Sequence, residues 1–468
     1  MSEGQSRLVW FVNKLFIAAL VSFIGLYFVS TIWKEPFIFG LVSMMGFLLL
    51  VSVFLVIPKR NLILPIILIG LSVLVINITS SSPIVLWIGL REMSAIIPLI
   101  ILISLVSWII GHRPYVKALM NIGKKWITTP VRFFAIVSGL THFIASFMTL
   151  GGIAFVYQMF RDEKKPSVEQ DAWDFTMGTA IMQGFTITVL WTVVHPAFAY
   201  GIAGTNAPLL PTVVKGFGLA CIGFVISILI YRVQLKRKQI TVDVIPDLTI
   251  KSGESLDGLV GKFLFWLSFL MVGIFMSNQL LHMDILLAVP VVVVIVTTLY
   301  FISSKSMSQY KSLWVKLVKV DIGKKKKEIG LILSAGLLVG TLKETGYGHV
   351  LFEYFLAGVE LLNINILVAL TFIVILLGFC GFPPIPAMIL LSGILVNIPG
   401  GYPPDLIALS LLLGVSVTLV IAPVTVPLLL ISSLNGRSVA ENGFRWNILF
   451  GVSLLIVGLL YIQLLTLF

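Results

Sequence analysis

Leu190–Asn206 reads LWTVVHPAFAYGIAGTN, inside an apolar span that begins near Phe175. Pro196 removes a backbone donor and presses on the preceding turn, so a helix arriving from Phe175 must break at His195-Pro196. A second stretch, Leu419–Gly436, reads LVIAPVTVPLLLISSLNG and repeats the layout, with its break at Ala422-Pro423, Thr425 just beyond and Asn435 near its end. Membrane helices tolerate single proline kinks. Two broken spans at corresponding places in two halves of a chain point instead to a substrate site near the bilayer midplane.

Working outward, 58% of the residues are hydrophobic and only 11% are charged. Soluble domains carry about a quarter charged residues, so this is a polytopic membrane protein whose first partner is the lipid bilayer. The net charge of +12 lies in short clusters between spans and does not point to nucleic acid. Cys221 and Cys380 both fall in apolar stretches, which leaves no disulfide framework or zinc spacing. Val9–Trp33 ends in no small-residue cleavage pattern and reads as a retained first helix.

At about 20 apolar residues per crossing, the spans fall at Leu15–Trp33, Phe37–Ile57, Leu62–Ile78, Ser94–Ile110, Phe175–Tyr200 (broken) and Thr212–Tyr231. After the linker come Lys262–Leu281, Ile285–Ile302, Ile329–Leu342, Leu406–Ser433 (broken) and Trp446–Leu467. Val131–Phe160 is too long for one simple span, holds Gly151-Gly152 in its middle and has cations at both ends, which suits a hairpin entering and leaving on one side. Ile364–Leu395 turns at GFCGFPP, Gly378–Pro384, and is the second hairpin. Gly111–Pro130 and Tyr347–Leu362 are amphipathic.

An excess of Lys and Arg marks the cytoplasmic side. With the N-terminus inside, Pro58–Arg60, Arg113–Arg132, Arg161–Lys165, Leu235–Lys238 and Lys305–Lys327 all fall inside. The outer segments 80–83, 206–210 and 282–284 carry no Lys or Arg. Lys34 and Lys343 are exceptions, each beside a glutamate. Arg91 and Glu92, before the fourth span, read as an interfacial pair, and Lys324–Lys327 as a run facing anionic lipid.

The expected fold is therefore all-α and polytopic. It has about eleven transmembrane helices plus two re-entrant helical hairpins, in two repeats of inverted topology. The leading helix takes residues 1–36. The first repeat takes 37–233, with its hairpin near 131–160 and broken helix near 175–205. A cytoplasmic linker covers 234–261. The second repeat takes 262–468, with its hairpin near 364–395 and broken helix near 406–434. The protein is expected in the cytoplasmic membrane, N-terminus cytoplasmic and C-terminus outside.

Non-helical backbone at membrane depth has to line a cavity or be buried in protein. Gly151 and Gly152 would let the first hairpin reverse without Cβ strain, as would Gly378, Gly381, Pro383 and Pro384 for the second. Each tip and each break starts a helix, so free N–H groups and the positive end of a dipole face one place: an anion site that needs no lysine. Carbonyls of the preceding half-helices could hold a cation. The side-chain candidates are Thr149 at the first tip, Thr192 and His195 at the first break, Thr205 and Asn206 past it, and Ser416, Thr418 and Thr425 around the second. Hydroxyls in lipid are often satisfied by their own i−4 carbonyl. His195 has two readings: a titrating coupling group, or a neutral imidazole that hydrogen-bonds at the proline break. His142, in a hairpin arm, reads as structural.

This layout resembles the ion-transporter superfamily, in particular the divalent-anion/sodium symporter group, over nearly the whole chain. The resemblance implies an elevator transporter and a homodimer, with the hairpin-bearing body carrying solute across. In that group the tips hold Ser-Asn-Thr motifs that bind sodium and carboxylates. Here they read MTLGG, Met148–Gly152, and CGFPP, Cys380–Pro384, and only Thr149 offers a side-chain oxygen. What the resemblance carries over is placement: Thr149, Gly151 and Gly152; His195 and Pro196; Cys380, Gly381 and Pro383; Ala422, Pro423 and Thr425.

The expected function is secondary transport of a small anionic organic solute, such as a carboxylate, coupled to H+ or Na+, with no cofactor. An antiporter or exporter of an inorganic ion, or of a lipid-linked or headgroup substrate, fits the same scaffold. An enzyme is not expected: the sequence has no HExxH motif and no paired intramembrane aspartates.

Overall fold

Long apolar runs without water to satisfy their backbone must coil into helices, and no strand occurs among the described residues. The computed structural model describes residues 3–123, 126–161, 163–237, 258–382, 401–423 and 425–467, and singly Pro384, Ala387, Met388 and Leu391. Pro383, most of the 234–261 linker and most of the second hairpin's returning arm lie outside the described residues.

In chain order the helices are α1 Glu3–Ile32, α2 Pro36–Val56, α3 Ile63–Thr79, α4 Ile84–Glu92, α5 Ile96–Leu102, α6 Val106–His112 and α7 Tyr115–Gly123. Next come α8 Pro130–Met148, α9 Leu150–Arg161, α10 Gln170–Thr186, α11 Pro196–Thr205, α12 Leu209–Arg237, α13 Leu259–Gln279 and α14 Ile285–Ser303. The remainder are α15 Met307–Lys316, α16 Lys326–Glu344, α17 Tyr347–Leu361, α18 Ile366–Phe379, α19 Pro404–Ile421, α20 Val426–Asn435 and α21 Trp446–Leu465.

Among the described residues, 9 helices are long and apolar enough to cross a membrane, or up to 10 if Met307–Glu344 and Tyr347–Leu361, bent by 88°, form one span. The count differs from the sequence's eleven for physical reasons. α3 has only 17 residues, and the span from Gln170 to Thr205 is divided by its break. Pro130–Met148 qualifies by length although the sequence reads it as a hairpin arm.

The described residues group into two compact units. One comprises Met1–Leu102 and Thr298–Ile364 with the few described residues of Pro386–Pro399. The other comprises Ile103–Thr297, Asn365–Ile385 and Gly400–Phe468. Each unit draws on both halves of the chain.

In the first unit α4 packs on α16, and α2 and α3 also lie against α16. Small residues let α4 and α16 touch backbone to backbone: a Cβ on Gly89 would lie 2.9 Å from the Leu337 Cα, and one on Gly340 2.6 Å from the Gly89 Cα. Glycine at such a crossing brings helices close enough for dispersion contacts that lipid cannot match. At the end of α4, Glu92 accepts from Lys343 at 3.0 Å, while the Arg91 guanidinium lies 4.9 Å from the Phe39 ring centroid.

The second unit is organised around α10 and α19. Every residue of α10 from Trp173 to Thr186 and of α19 from Asp405 to Ile421 is buried. A helix buried on all sides belongs to the centre of its body. α8 packs on α10 and α18 on α19. Both contacts go through a glycine: a Cβ on Gly184 would lie 2.2 Å from the Ser138 carbonyl, and one on Gly414 2.7 Å from the Thr371 carbonyl.

Candidate functional site

The first break forms where the sequence places it. α10 tightens into a 3-10 turn over Ile187–Leu190, and α11 restarts at Pro196. A proline at this first position loses nothing, because its missing N–H had no intrahelical partner. The His195 side chain caps α11: its Nδ1 accepts from the Ala197 N–H at 3.3 Å, and the residue is only 7% exposed. Nδ1 is thus an acceptor, and the imidazole neutral.

α8 packs against this break. Thr192 donates to the Ser146 hydroxyl at 3.3 Å, and Trp191 Nε1 donates to His142 Nε2 at 3.1 Å. His142 Nδ1 therefore carries the proton and donates to the Gly184 carbonyl at 3.3 Å. His142 thus ties α8 to α10 and to the break itself as a neutral ring.

The first tip differs from expectation in its turning residue. The chain reverses at Thr149, with φ 48° and ψ −127°, and Gly151 and Gly152 already belong to α9. That conformation is a strained one for a β-branched residue. Gly152 instead lets the two arms touch, since a Cβ there would lie 2.7 Å from the Ala145 Cα. Gly151 faces outward and is exposed.

The second break lies between α19 and α20, with Ala422 buried, Pro423 exposed and Thr425 4% exposed. Thr425 donates across the break to the Leu419 carbonyl at 3.2 Å. Thr418 bonds the Gly414 carbonyl at 2.7 Å, satisfied within its own helix. Ser416 donates to the Thr186 carbonyl at 2.9 Å, from 230 residues away in sequence. One hydroxyl thus ties α19 to the end of α10, where the first break begins. The α11 helix also packs on α19, and α9 on α20. α18 closes on Gly381 at φ 88°, with the Phe382 N–H bonded to the Leu377 carbonyl at 2.9 Å. This is a glycine cap, and Cys380 beside it is exposed.

Thr149, Gly152, Thr192, His195, Pro196, Ala422, Pro423 and Thr425 therefore belong to elements of one unit. Thr205 and Asn206 stand apart from the first break. Thr205 bonds its own i−4 carbonyl of Gly201 at 2.7 Å, and Asn206 ends α11 in the left-handed region at φ 52°. The length of α11 puts them about 15 Å from His195. Sequence reading passed over Ser146, Trp191 and Gln183. Gln183 Nε2 donates to Asn447 Oδ1 at 2.8 Å, while its Oε1 is buried without a partner. A glutamine inside an apolar span was the available signal.

The chain shares its fold with a transporter of known structure. The crystal structure of the Alcanivorax borkumensis YdaH transporter, described as having an unusual topology, is similar with a TM-score of 0.51 at 13% identity, over 79% of this chain and 84% of that one. No family model matches the sequence, and no curated protein sequence matches it.

Charge frames the unit. Asp174, 1% exposed, accepts from Arg437 at 2.8 Å, and Asp171 also bonds Arg437. Asp405, 4% exposed, pairs with Lys215 at 2.5 Å. Asp174 stands at the start of α10 and Asp405 at the start of α19. Each carboxylate draws its cation from the other half of the chain. Bonding to Asp174, then to Asp171, raises the pKa of Arg437, so its charge is permanent. Buried charges persist when paired in this way.

Proposed function

We propose that this protein is a secondary active transporter moving a small anionic organic solute, such as a carboxylate, across the cytoplasmic membrane. The observation that carries the proposal is the pair of broken helices, α10–α11 and α19–α20, joined by the Ser416 bond to the Thr186 carbonyl. Interruptions of this kind place non-helical backbone beside the buried helices α10 and α19, which a passive bundle has no use for.

The two halves form repeats of inverted topology, with α8–α9 and the segment from α18 onward as re-entrant hairpins and residues 234–261 as the joining linker. Matching glycine contacts at Gly184 and Gly414, and the reciprocal ion pairs, support this. The N-terminus is cytoplasmic. Transport is of elevator type, in which one body carries solute against another, and the protein works as a homodimer. Helix starts at Leu150, Pro196 and Val426 favour an anion.

H+ or Na+ supplies the drive. Protonation of His195 Nδ1 would compete with the Ala197 N–H for one lone pair, so a proton bound there releases the first turn of α11. For sodium, the unpartnered Gln183 Oε1 is the side-chain oxygen best suited to join backbone carbonyls. The test is uptake of a panel of carboxylates into proteoliposomes under separately imposed pH and sodium gradients. Saturable uptake under one gradient is expected; no movement of any solute under either would refute the proposal.

A further inference from the structure

Arg91 is a cation left over. It forms no ion pair or hydrogen bond through its guanidinium among the described residues, although Glu92 beside it is held by Lys343 at 3.0 Å. Its guanidinium lies over the Phe39 ring, 4.9 Å from the centroid. With no ion pair or hydrogen bond of its own among the described residues, the guanidinium keeps its N–H donors for a two-point contact with phosphate. Arg91 lines a cavity of about 190 Å³ together with Ser30, Phe39, Val42, Glu92 and Ser94. These residues come from the end of α1, the start of α2 and the end of α4, all within one unit.

The cavity carries both signs of charge and spare hydroxyl capacity. The Ser94 hydroxyl makes no hydrogen bond among the described residues and can donate to an anion. The Ser30 hydroxyl already donates to the Tyr27 carbonyl at 2.7 Å, so what it has left to offer is lone pairs. Glu92 binds Lys343 through Oε1, which leaves Oε2 to accept from an ammonium group. Beside the cavity, at the α1–α2 turn, Trp33 is 64% exposed and Phe37 75%. Exposed aromatics at a helix end mark the level of lipid headgroups.

We propose that this pocket binds the headgroup of an aminophospholipid, with the phosphodiester on Arg91 and Ser94 and the primary ammonium on Glu92 and Ser30. A primary ammonium can donate to a carboxylate and a serine lone pair at once; a quaternary one cannot. The pocket residues all belong to the first unit, whereas the residues of the two proline breaks belong to the second.

The test uses the delipidated full-length protein in detergent, titrated with short-chain phosphatidylethanolamine, phosphatidylglycerol and phosphatidylcholine and with free phosphoethanolamine, and read by native mass spectrometry. Phosphatidylethanolamine should bind most tightly. Arg91→Gln should weaken it about tenfold or more, since charge-assisted bonds are lost, and Glu92→Gln should level it with phosphatidylglycerol. Lys343→Gln breaks the same ion pair as Glu92→Gln but keeps the carboxylate, so binding should persist; this variant separates recognition from misfolding, as does partial retention in Arg91→Lys. Equal binding of the three lipids, or unchanged phosphatidylethanolamine binding in Arg91→Gln, would overturn the proposal. Free phosphoethanolamine binding as tightly as the lipid would overturn the membrane as its source.

Discussion

Replacing Gly184 by alanine tests the packing that surrounds the first break. The new Cβ would lie 2.2 Å from the Ser138 carbonyl oxygen and 3.0 Å from its carbon, against 2.7 Å from the Thr371 carbonyl for Gly414→Ala. Both obstacles are backbone, so no side chain can rotate away. To reach ordinary contact, α8 has to withdraw from α10 by roughly 1 Å, and α18 from α19 by somewhat less; overpacking of this kind costs about 1–3 kcal/mol. Alanine recovers up to about 1 kcal/mol of helix propensity in each case. The net expectation is a loss of about 1–2 kcal/mol for Gly184→Ala and a smaller loss for Gly414→Ala. Gly25→Ala is the control, because its Cβ would meet nothing within 4 Å; it should be neutral or stabilising. Thermal unfolding in detergent gives the ranking, and hydrogen exchange along α8 shows whether that helix has moved. If Gly184→Ala melts with or above Gly25→Ala, the close approach of α8 to α10 is wrong.

Three further outcomes follow from single side chains. Arg437→Ala leaves Asp174, 1% exposed, without its cation, and should cost about 3–5 kcal/mol; adding Asp174→Asn should recover part of that loss in a double-mutant cycle, and strict additivity would count against the pair. His195→Asn keeps a good helix cap but cannot titrate, so the variant should fold normally while uptake loses its pH dependence; His195→Ala should also lose about 0.5–2 kcal/mol of stability. Thr149→Gly relieves the turn at φ 48° and should raise the melting temperature, with about 1–3 kcal/mol of strain available; a lower melting temperature would show that the threonine side chain holds the tip.

Both legible interruptions carry a proline: Pro196 opens α11, and Pro423 lies just past the end of α19. Proline alone does not decide the matter, because Pro290 lies inside the continuous α14. The amphipathic α17 was also legible from its periodicity. At the first expected tip the chain turns at Thr149 and not at Gly151-Gly152. A glycine that frees φ and a glycine that lets helices touch look alike in a sequence; Gly152 is the second kind, and a strained Thr149 makes the turn. The partners of Lys215, Lys343 and Arg437 were not legible, because each acid lies far away in sequence and only the packed helices bring it near. Gly184, Gly216 and Gly414 escaped notice for the same reason. A Cβ on Gly216 would lie 1.9 Å from the Leu190 carbonyl, and nothing near position 216 predicts a neighbour from the first break.

The proposed transport requires the breaks of α10–α11 and α19–α20 to form a site that opens in turn to each side of the membrane. The most direct measurement replaces Cys221 and Cys380 by serine and Thr192, 1% exposed, by cysteine, then follows labelling by a membrane-impermeant maleimide in vesicles of each orientation. Alternating exposure predicts slow labelling from both sides, with transported solute changing both rates. Labelling from neither side, or from one side only whatever solute and gradient are imposed, would contradict it.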